Sequence, residues 1–343
     1  MKILGIETSC DETAAAVIED GQGIHSNIVA SQAELHAQFG GIVPEVASRQ
    51  HMISIMPVLN EAIEKANLEA SQLDGIAVTH GPGLAGSLLI GVNSAKGLAF
   101  AHDLPFIGIN HLEGHIYAAW LEDGVDPEHS PGFPLLCLVA SGGHTDLILM
   151  SGHGRYTLIA RTRDDAAGEA FDKAARVLGL GFPGGPAIQK ISENSNGLEE
   201  KFPRPRVKDS LDFSFSGLKT AVVKRAEEKG IYPPSEDKSE PEPLMTANMA
   251  ASFQEAIVDT LVTGTLKAAE LHNVKGIILG GGVAANSLLR SEMARRSHVQ
   301  VIVPRPSLCT DNGAMIGAAA YFHRRDKIEY QWDMDIIPSL RLG

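Results

Sequence analysis

One unit opens both halves of the 343-residue chain, and it limits the available folds more than any other feature. Residues 2–6 read as an apolar strand, residues 7–13 as a polar turn and residues 14–18 as a second strand. Residues 135–140, 141–146 and 147–150 repeat that order, with Ser141-Gly142-Gly143-His144-Thr145-Asp146 as the turn. The repeat lies in the arrangement, not in residue identity. Two such hairpins facing each other would present two polar turns to one phosphate chain. Two unrelated hairpins would read the same way, because hairpins are common.

Helices and further strands follow each hairpin. A Gly40-Gly41 turn leads into a helix through Ala47 to Lys65. Residues 76–79 form a short buried strand that runs into Gly81-Pro82-Gly83-Leu84-Ala85-Gly86-Ser87, then a helix rich in small residues to about Phe100. A strand, Gly-rich turn and helix can aim a helix N-terminus at an anion. This stretch lacks the G-x-x-x-x-G-K-[ST] pattern and Lys96 lies too far along, so close helix packing is the preferred role of its glycines. Residues 105–109 are another strand, and the patternless 121–134 reads as a linker. Beyond the second hairpin, helices are expected over 164–178, 246–272, 287–296 and 313–323, and strands over 276–279 and 301–303.

Chemistry enters at His111-Leu112-Glu113-Gly114-His115. Histidines four apart on a helix lie about 40° from each other around the axis, at about 100° per residue. They share a face and can grip one metal ion. Zinc proteases place the general-base Glu directly after the first His. Glu113 comes one place later, about 200° from His111, on the far side of the helix. The pair therefore reads as a metal clamp without the protease base, although two surface histidines would share the spacing. Asp311, in a strand-to-helix loop, is the candidate third ligand. Gly280-Gly281-Gly282 after a strand would let a flat ring approach the backbone, a cradle for adenosine through Asn286. Asp165, Glu169 and Asp172 fall at i, i+4 and i+7; like charges on one face repel, so sugar hydroxyls or a cation would fit between them. Acidic residues in a first helical turn also simply suit the helix dipole.

The net charge of −13 argues against a broad basic face that coats nucleic acid. One basic strip remains, residues 201–208 with Lys190 before it and Lys219 after, as the candidate for touching a phosphate backbone. Cys10, Cys137 and Cys309 are odd in number, far apart and without C-x-x-C, so a disulfide framework is not expected and a reducing compartment fits. The N-terminal residues read as a strand rather than a signal peptide. No apolar run reaches ~18 residues, so no membrane span is expected. Residues 229–243, acidic and Pro-rich, read as an insertion or mobile loop with no assigned role.

Eight stretches together resemble one family across nearly the whole chain: G-I-E-T-S-C-D-E-T (5–13), H-L-E-G-H (111–115), S-G-G-H-T (141–145), D-D-A-A-G-E-A-F-D-K (164–173), F-P-G-G-P (182–186), F-S-F-S-G-L-K-T (213–220), G-G-G-V-A-A-N (280–286) and C-T-D-N-G-A-M-I (309–316). The chain resembles the TsaD family, the bacterial tRNA adenosine threonylcarbamoyltransferases. That resemblance implies an α/β, two-lobed fold like actin, sugar kinases and Hsp70 (ASKHA), with ligand and metal in the interlobe cleft. One lobe would hold residues 1–125 with roughly 310–343, the other residues 131–309. It implies a cytoplasmic enzyme that transfers threonylcarbamoyl from threonylcarbamoyl-AMP to N6 of adenosine 37 in tRNAs reading ANN codons. His111, His115 and Asp311 would hold one divalent metal, Fe(II) in preference to Zn(II). Val139, Ala140, Ser141, Gly142, Gly143, Asp172, Gly185 and Asn286 would line the adenylate site. Gln189 departs from the pattern, since many relatives carry Asp there, and it is left out of the expected site. A TsaB-like paralogue and a TsaE-like ATPase would be partners.

The adenylate is already activated, so such an enzyme need only hold the carbonyl near the amine and stabilise developing charge. N6 of adenosine is a poor nucleophile, and a proton acceptor helps. Asp11 and Glu12 in the facing turn are the candidates, with His144 second; plain turn chemistry would also explain Asp11. Cys10 has no assigned base partner and reads as packing. Rival readings are a metalloprotease, an ATPase or kinase of the same fold, and a nucleotide-binding scaffold.

Overall fold

The computed structural model describes residues 1–121, 126–198, 200–205, 207–233, 243–323 and 331–343. Residues 122–125 of the expected linker, 234–242 of the acidic loop and Arg206 of the basic strip lie outside the described residues.

The two hairpins seed two sheets of five strands. The first contains β1 (Lys2–Glu7), β2 (Glu12–Glu19), β3 (Gly23–Ser31), β4 (Gly75–Gly81) and β5 (Phe106–Asn110), in the order β3-β2-β1-β4-β5. The second contains β6 (Leu135–Ala140), β7 (Thr145–Gly152), β8 (Arg155–Arg161), β9 (Gly276–Gly280) and β10 (Gln300–Ile302). Read from its β8 edge, its order is β8-β7-β6-β9-β10, the same topology. In each sheet the founding strand pairs antiparallel with its hairpin partner and parallel with the strand that follows the first long helical excursion. The duplication legible in the turns is thus a duplication of the sheet. The third strand of each unit, β3 and β8, was not expected. Both are edge strands in which polar residues interrupt the apolar ones, so no continuous run marks them.

The helices in chain order are α1 (Ala33–Ala37), α2 (Pro44–Lys65), α3 (Ala85–His102), α4 (His111–Tyr117), α5 (Ala167–Val177), α6 (Gly184–Ser192), α7 (Ser216–Glu228), α8 (Pro243–Leu271), α9 (Ser287–Arg296), α10 (Pro306–Cys309) and α11 (Gly313–His323). Two of them decide where the site lies. α4 and α11 form a layer between the sheets: Leu112, Ile116, Ile316 and Ala318 share one core with Ile3 and Ile109 of the first sheet and Cys137, Val139 and Ile278 of the second. A helix buried on every side must be apolar all round, and α11 (Gly-Ala-Met-Ile-Gly-Ala-Ala-Ala) is. Small residues let it sit close. A Cβ on Gly5 of β1 would lie 2.1 Å from the Gly313 carbonyl oxygen, and one on Gly280 would lie 2.8 Å from that of His115.

The Gly81–Ser87 glycines serve packing, as expected: a Cβ on Gly83 would strike Ser9 at 2.6 Å, and one on Gly86 would strike Ser48 at 2.3 Å. Lys96 pins the C-terminal segment instead of a phosphate, donating to the Trp332 and Met334 carbonyls at 3.1 and 2.6 Å. The helix expected from Asp164 starts at Ala167. Asp164 caps a different helix, accepting from Phe215 N (2.7 Å), Ser216 N (3.3 Å), Ser214 Oγ (2.6 Å) and Ser216 Oγ (2.7 Å) at the start of α7. No described helix is long and apolar enough to cross a membrane.

Candidate metal and nucleotide site

α4 begins at the end of β5, where Asn110 caps it by accepting from Leu112 N at 2.9 Å. His111 and His115 stand on its inner face with ring centroids 4.7 Å apart. Asp311 lies in the loop between α10 and α11. Its neighbour Asn312 holds that loop, accepting from Met315 N (3.1 Å) and donating to the Thr310 carbonyl (2.7 Å). Asp311 Oδ1 is 3.6 Å from His111 Nε2 and 3.2 Å from His115 Nε2. His115 is fully buried, yet neither ring nitrogen makes an aligned hydrogen bond. A buried polar group without a partner is costly. Two ligands at ~2.1 Å from one ion, 90–109° apart, would lie about 3.0–3.4 Å from each other. The His115 distance of 3.2 Å falls inside that range and the His111 distance of 3.6 Å lies just above it, so the three side chains fit a divalent ion.

Glu7, which the sequence reading passed over, completes this arrangement. It ends the apolar β1 as a fully buried carboxylate. Its Oε2 lies 3.0 Å from His111 Nδ1 and accepts from Thr79 Oγ1 at 2.6 Å, while Oε1 accepts from Ser9 N at 2.5 Å. A carboxylate on Nδ1 fixes the ring with Nε2 turned toward Asp311, the usual support of a metal-bound histidine. A charged residue closing an otherwise apolar strand was the available signal. Burial opposes charge on His111, but Asp311 and Glu7 outweigh it and raise the imidazole to about 9. Burial pushes the Asp311 carboxyl up, but the two imidazoles outweigh it and bring it down to about 2. Glu113 faces away, as the helical angle requires: it accepts from Tyr156 Oη at 2.5 Å and sits 2.6 Å from His323 Nε2.

Val139 and Ala140 end β6 and lead into the turn at Ser141. That turn is held by Ser141 N donating to the His144 carbonyl (2.8 Å) and by Gly168 N donating to the Ser141 carbonyl (3.1 Å). Gly142 and Gly143 are exposed, and a Cβ on either would meet open space. The 280–286 turn packs on the end of β6: Gly281 has φ +85° and a Cβ there would lie 2.3 Å from the Ala140 carbonyl oxygen, so only glycine fits. Asn286 is largely committed to the fold, accepting from Leu289 N (3.0 Å) and donating to Gln254 Oε1 (2.8 Å). Gln189 accepts from Ser287 N at 2.9 Å, tying α6 to the same turn. Asp172 accepts from Gly184 N at 2.7 Å through one oxygen. Gly185 has open space beside it.

The first turn acts on these residues through its charges. Burial raises the Asp172 carboxyl, and the charge of Asp11 adds to that. Burial, Asp311 and Asp11 push Glu12 up to about 10, so its carboxyl holds a proton at neutral pH. Burial, with His111 and His115 nearby, pushes His144 down to about 4, which leaves it neutral. Burial and the carboxylates of Asp11 and Asp311 push the Cys10 thiol well up, which removes it as a thiolate nucleophile.

Two expectations are corrected. Asp165 and Glu169 do not wait for a ligand, because Lys173 Nζ reaches them at 2.7 and 2.8 Å. The strip at 201–208 is not free for phosphate at its centre: Arg204 pairs with Asp259 (2.7 Å) and with Glu255 on α8.

The TsaD family, described as tRNA N6-adenosine threonylcarbamoyltransferase, matches residues 23–318. The chain is similar to the tRNA N6-adenosine threonylcarbamoyltransferase of Dehalococcoides mccartyi, with 52% identity over 340 residues covering 99% of each chain. It is equally similar to that of Thermomicrobium roseum, with 52% identity over 354 residues covering 100% of this chain and 97% of the other. Among solved structures, component A of the (R)-2-hydroxyglutaryl-CoA dehydratase of Acidaminococcus fermentans superposes with a TM-score of 0.55 at 14% identity, covering 95% of this chain and 100% of that one. HypF of T. kodakarensis gives 0.60 at 15% identity, covering 94% of this chain and 47% of that one. These likenesses show the fold, the two-lobed α/β architecture of actin, sugar kinases and Hsp70.

Proposed function

The chain belongs to the TsaD family of tRNA N6-adenosine threonylcarbamoyltransferases, and from that premise we propose that it moves threonylcarbamoyl from threonylcarbamoyl-AMP to N6 of adenosine 37 in tRNAs reading ANN codons. The observation that carries the reading is the His111–His115–Asp311 cluster beside the open Ser141–Gly143 turn. His111 and His115 through Nε2, with Asp311, would hold the divalent ion, oriented by Glu7. Such an ion, when bound, supplies a Lewis acid that polarises an oxygen of the acylated end. A two-histidine, one-carboxylate set suits Fe(II) and also admits Zn(II); Fe(II) is the proposal, and elemental analysis after anaerobic purification tests it.

The protein's own groups account for the rest. The Gly142 and Gly143 N–H groups have no hydrogen-bond partner among the described residues, and they offer donors to phosphate or to the developing oxyanion. The 280–286 turn takes the adenine and the free oxygen of Asp172 a ribose hydroxyl. N6 attacks the carbamoyl carbon, the new C–N bond forms, and the bond to the phosphate oxygen breaks with AMP leaving. Asp11 takes the amine proton; Glu12, whose carboxyl carries its own proton, is not the acceptor. A TsaB-like paralogue and a TsaE-like ATPase are the proposed partners.

The commitment of Glu113 to Tyr156 and His323 counts against a protease. The test is mass spectrometry of tRNA nucleosides after incubation with threonylcarbamoyl-AMP and the partners. Threonylcarbamoyladenosine should form with the parental chain and fall to background with His111→Ala. Absence of the modified nucleoside, with substrate-stimulated ATP hydrolysis in its place, would favour the kinase-like reading.

A further inference from the structure

Among the described residues, Arg290 on α9 directs its guanidinium to main-chain and thiol acceptors rather than to a carboxylate. Nε donates to the Ala284 carbonyl at 2.8 Å. Nη2 donates to the Pro304 carbonyl and lies 3.4 Å from Cys309 Sγ. The Cys309 thiol itself donates to the Pro304 carbonyl at 3.4 Å. Ala284 belongs to the turn that ends in Asn286, on the nucleotide side. Pro304 and Cys309 bound the segment that delivers Asp311, with only Thr310 between. On the far side of Asp311, Asn312 fixes the chain to the Thr310 carbonyl and to α11. One planar fork thus bolts the nucleotide turn to the loop carrying a metal ligand.

We propose that Arg290 is a positioning residue that couples nucleotide binding at the 280–286 turn to metal affinity at His111, His115 and Asp311; this rests on the assignment of both sites above. Nucleotide binding removes conformational freedom from the turn. Through Arg290 the 304–311 segment loses freedom with it, so Asp311 is already ordered when the ion arrives. By linkage the ion must strengthen nucleotide binding by the same factor. A lysine keeps the charge but not the rigid fork, so it cannot hold both segments in one geometry.

The experiment measures Zn(II) affinity by competition with a chromogenic chelator, with and without saturating AMP, and AMP affinity by calorimetry with and without Zn(II). The variants are Arg290→Lys, Arg290→Ala with circular dichroism as a folding check, and Arg295→Ala on the exposed end of the same helix, where Arg295 pairs with Glu292. Parental protein should bind each ligand on the order of tenfold more tightly in the presence of the other. Arg290→Lys should bind each alone yet lose that mutual effect, and Arg295→Ala should keep it. Coupling that survives in Arg290→Lys would assign it to direct contact between AMP and the ion and overturn the inference. Parental protein that binds both without mutual effect also overturns it while leaving the proposed function intact. Parental protein that binds neither overturns the site assignment and the inference together.

Discussion

Glu7 and Asp11 belong to the same strand-and-turn stretch and do different work. Glu7 holds the back of His111 from inside the core, whereas the charge of Asp11 is felt by Asp172 of α5. Glu7→Gln should leave the fold intact and weaken metal binding by about 10–100-fold, measured by chelator competition. Asp11→Ala should lower transfer to tRNA by roughly 100-fold or more with unchanged metal content; transfer at the parental rate would remove Asp11 as the base. The histidine pair was legible because i and i+4 are neighbours on any helix. Glu7 was harder to read, because a strand-end carboxylate has no spacing rule that points to a histidine in another element. Arg204 shows the reverse failure: its local sequence is basic, but the carboxylates that neutralise it come from α8.

Among the elements, α7 shows how a cap can come from outside its own segment. No side chain at the N-cap position itself caps α7; Asp164, just ahead of α5, does so with four hydrogen bonds. Burial pushes that carboxyl up, but the bonds from Ser214, Phe215 and Ser216 outweigh it and hold it below the usual range. A depressed carboxylate contributes stability above its unfolded value and loses it as pH falls through the folded one. Asp164→Ala should therefore cost about 0.5–2 kcal/mol at pH 7, and the difference from the parent should shrink as pH falls below the ordinary carboxylate range. Urea denaturation at both pH values checks this. The helix expected from residue 164 started three residues late because the acidic pair before it has tertiary partners, and local propensity counts only neighbours.

On the scale of the molecule, the units built on the two sheets are joined by a side-chain contact as well as by the shared α4–α11 core. Arg176 on α5 donates to the Gly40 carbonyl in the turn before α2, joining the half that holds Asp172 to the half that holds Asp11. Arg176→Ala should raise amide exchange over residues 38–43 while changing global stability by no more than about 0.5 kcal/mol. Exchange mass spectrometry reads the first and thermal denaturation the second. We propose that residues 1–125 with 310–343, and residues 131–309, are the two lobes that this contact and the α4–α11 layer hold together.

The sequence by itself determined the local pieces. Apolar runs broken by polar turns set eight of the ten strands among the described residues, the repeated hairpin marked where each sheet begins, and the spacing of His111 and His115 put both imidazoles on one face. These follow from backbone geometry, which acts over a few residues. Only the tertiary structure decided that α4 and α11 lie side by side between the sheets, so that Asp311 meets the histidines and Glu7 stands behind them. That juxtaposition comes from the burial of two helices, α11 and the polar-faced α4, against two sheets at once. It is a sum over many contacts distant in the chain, which no stretch of the sequence carries alone.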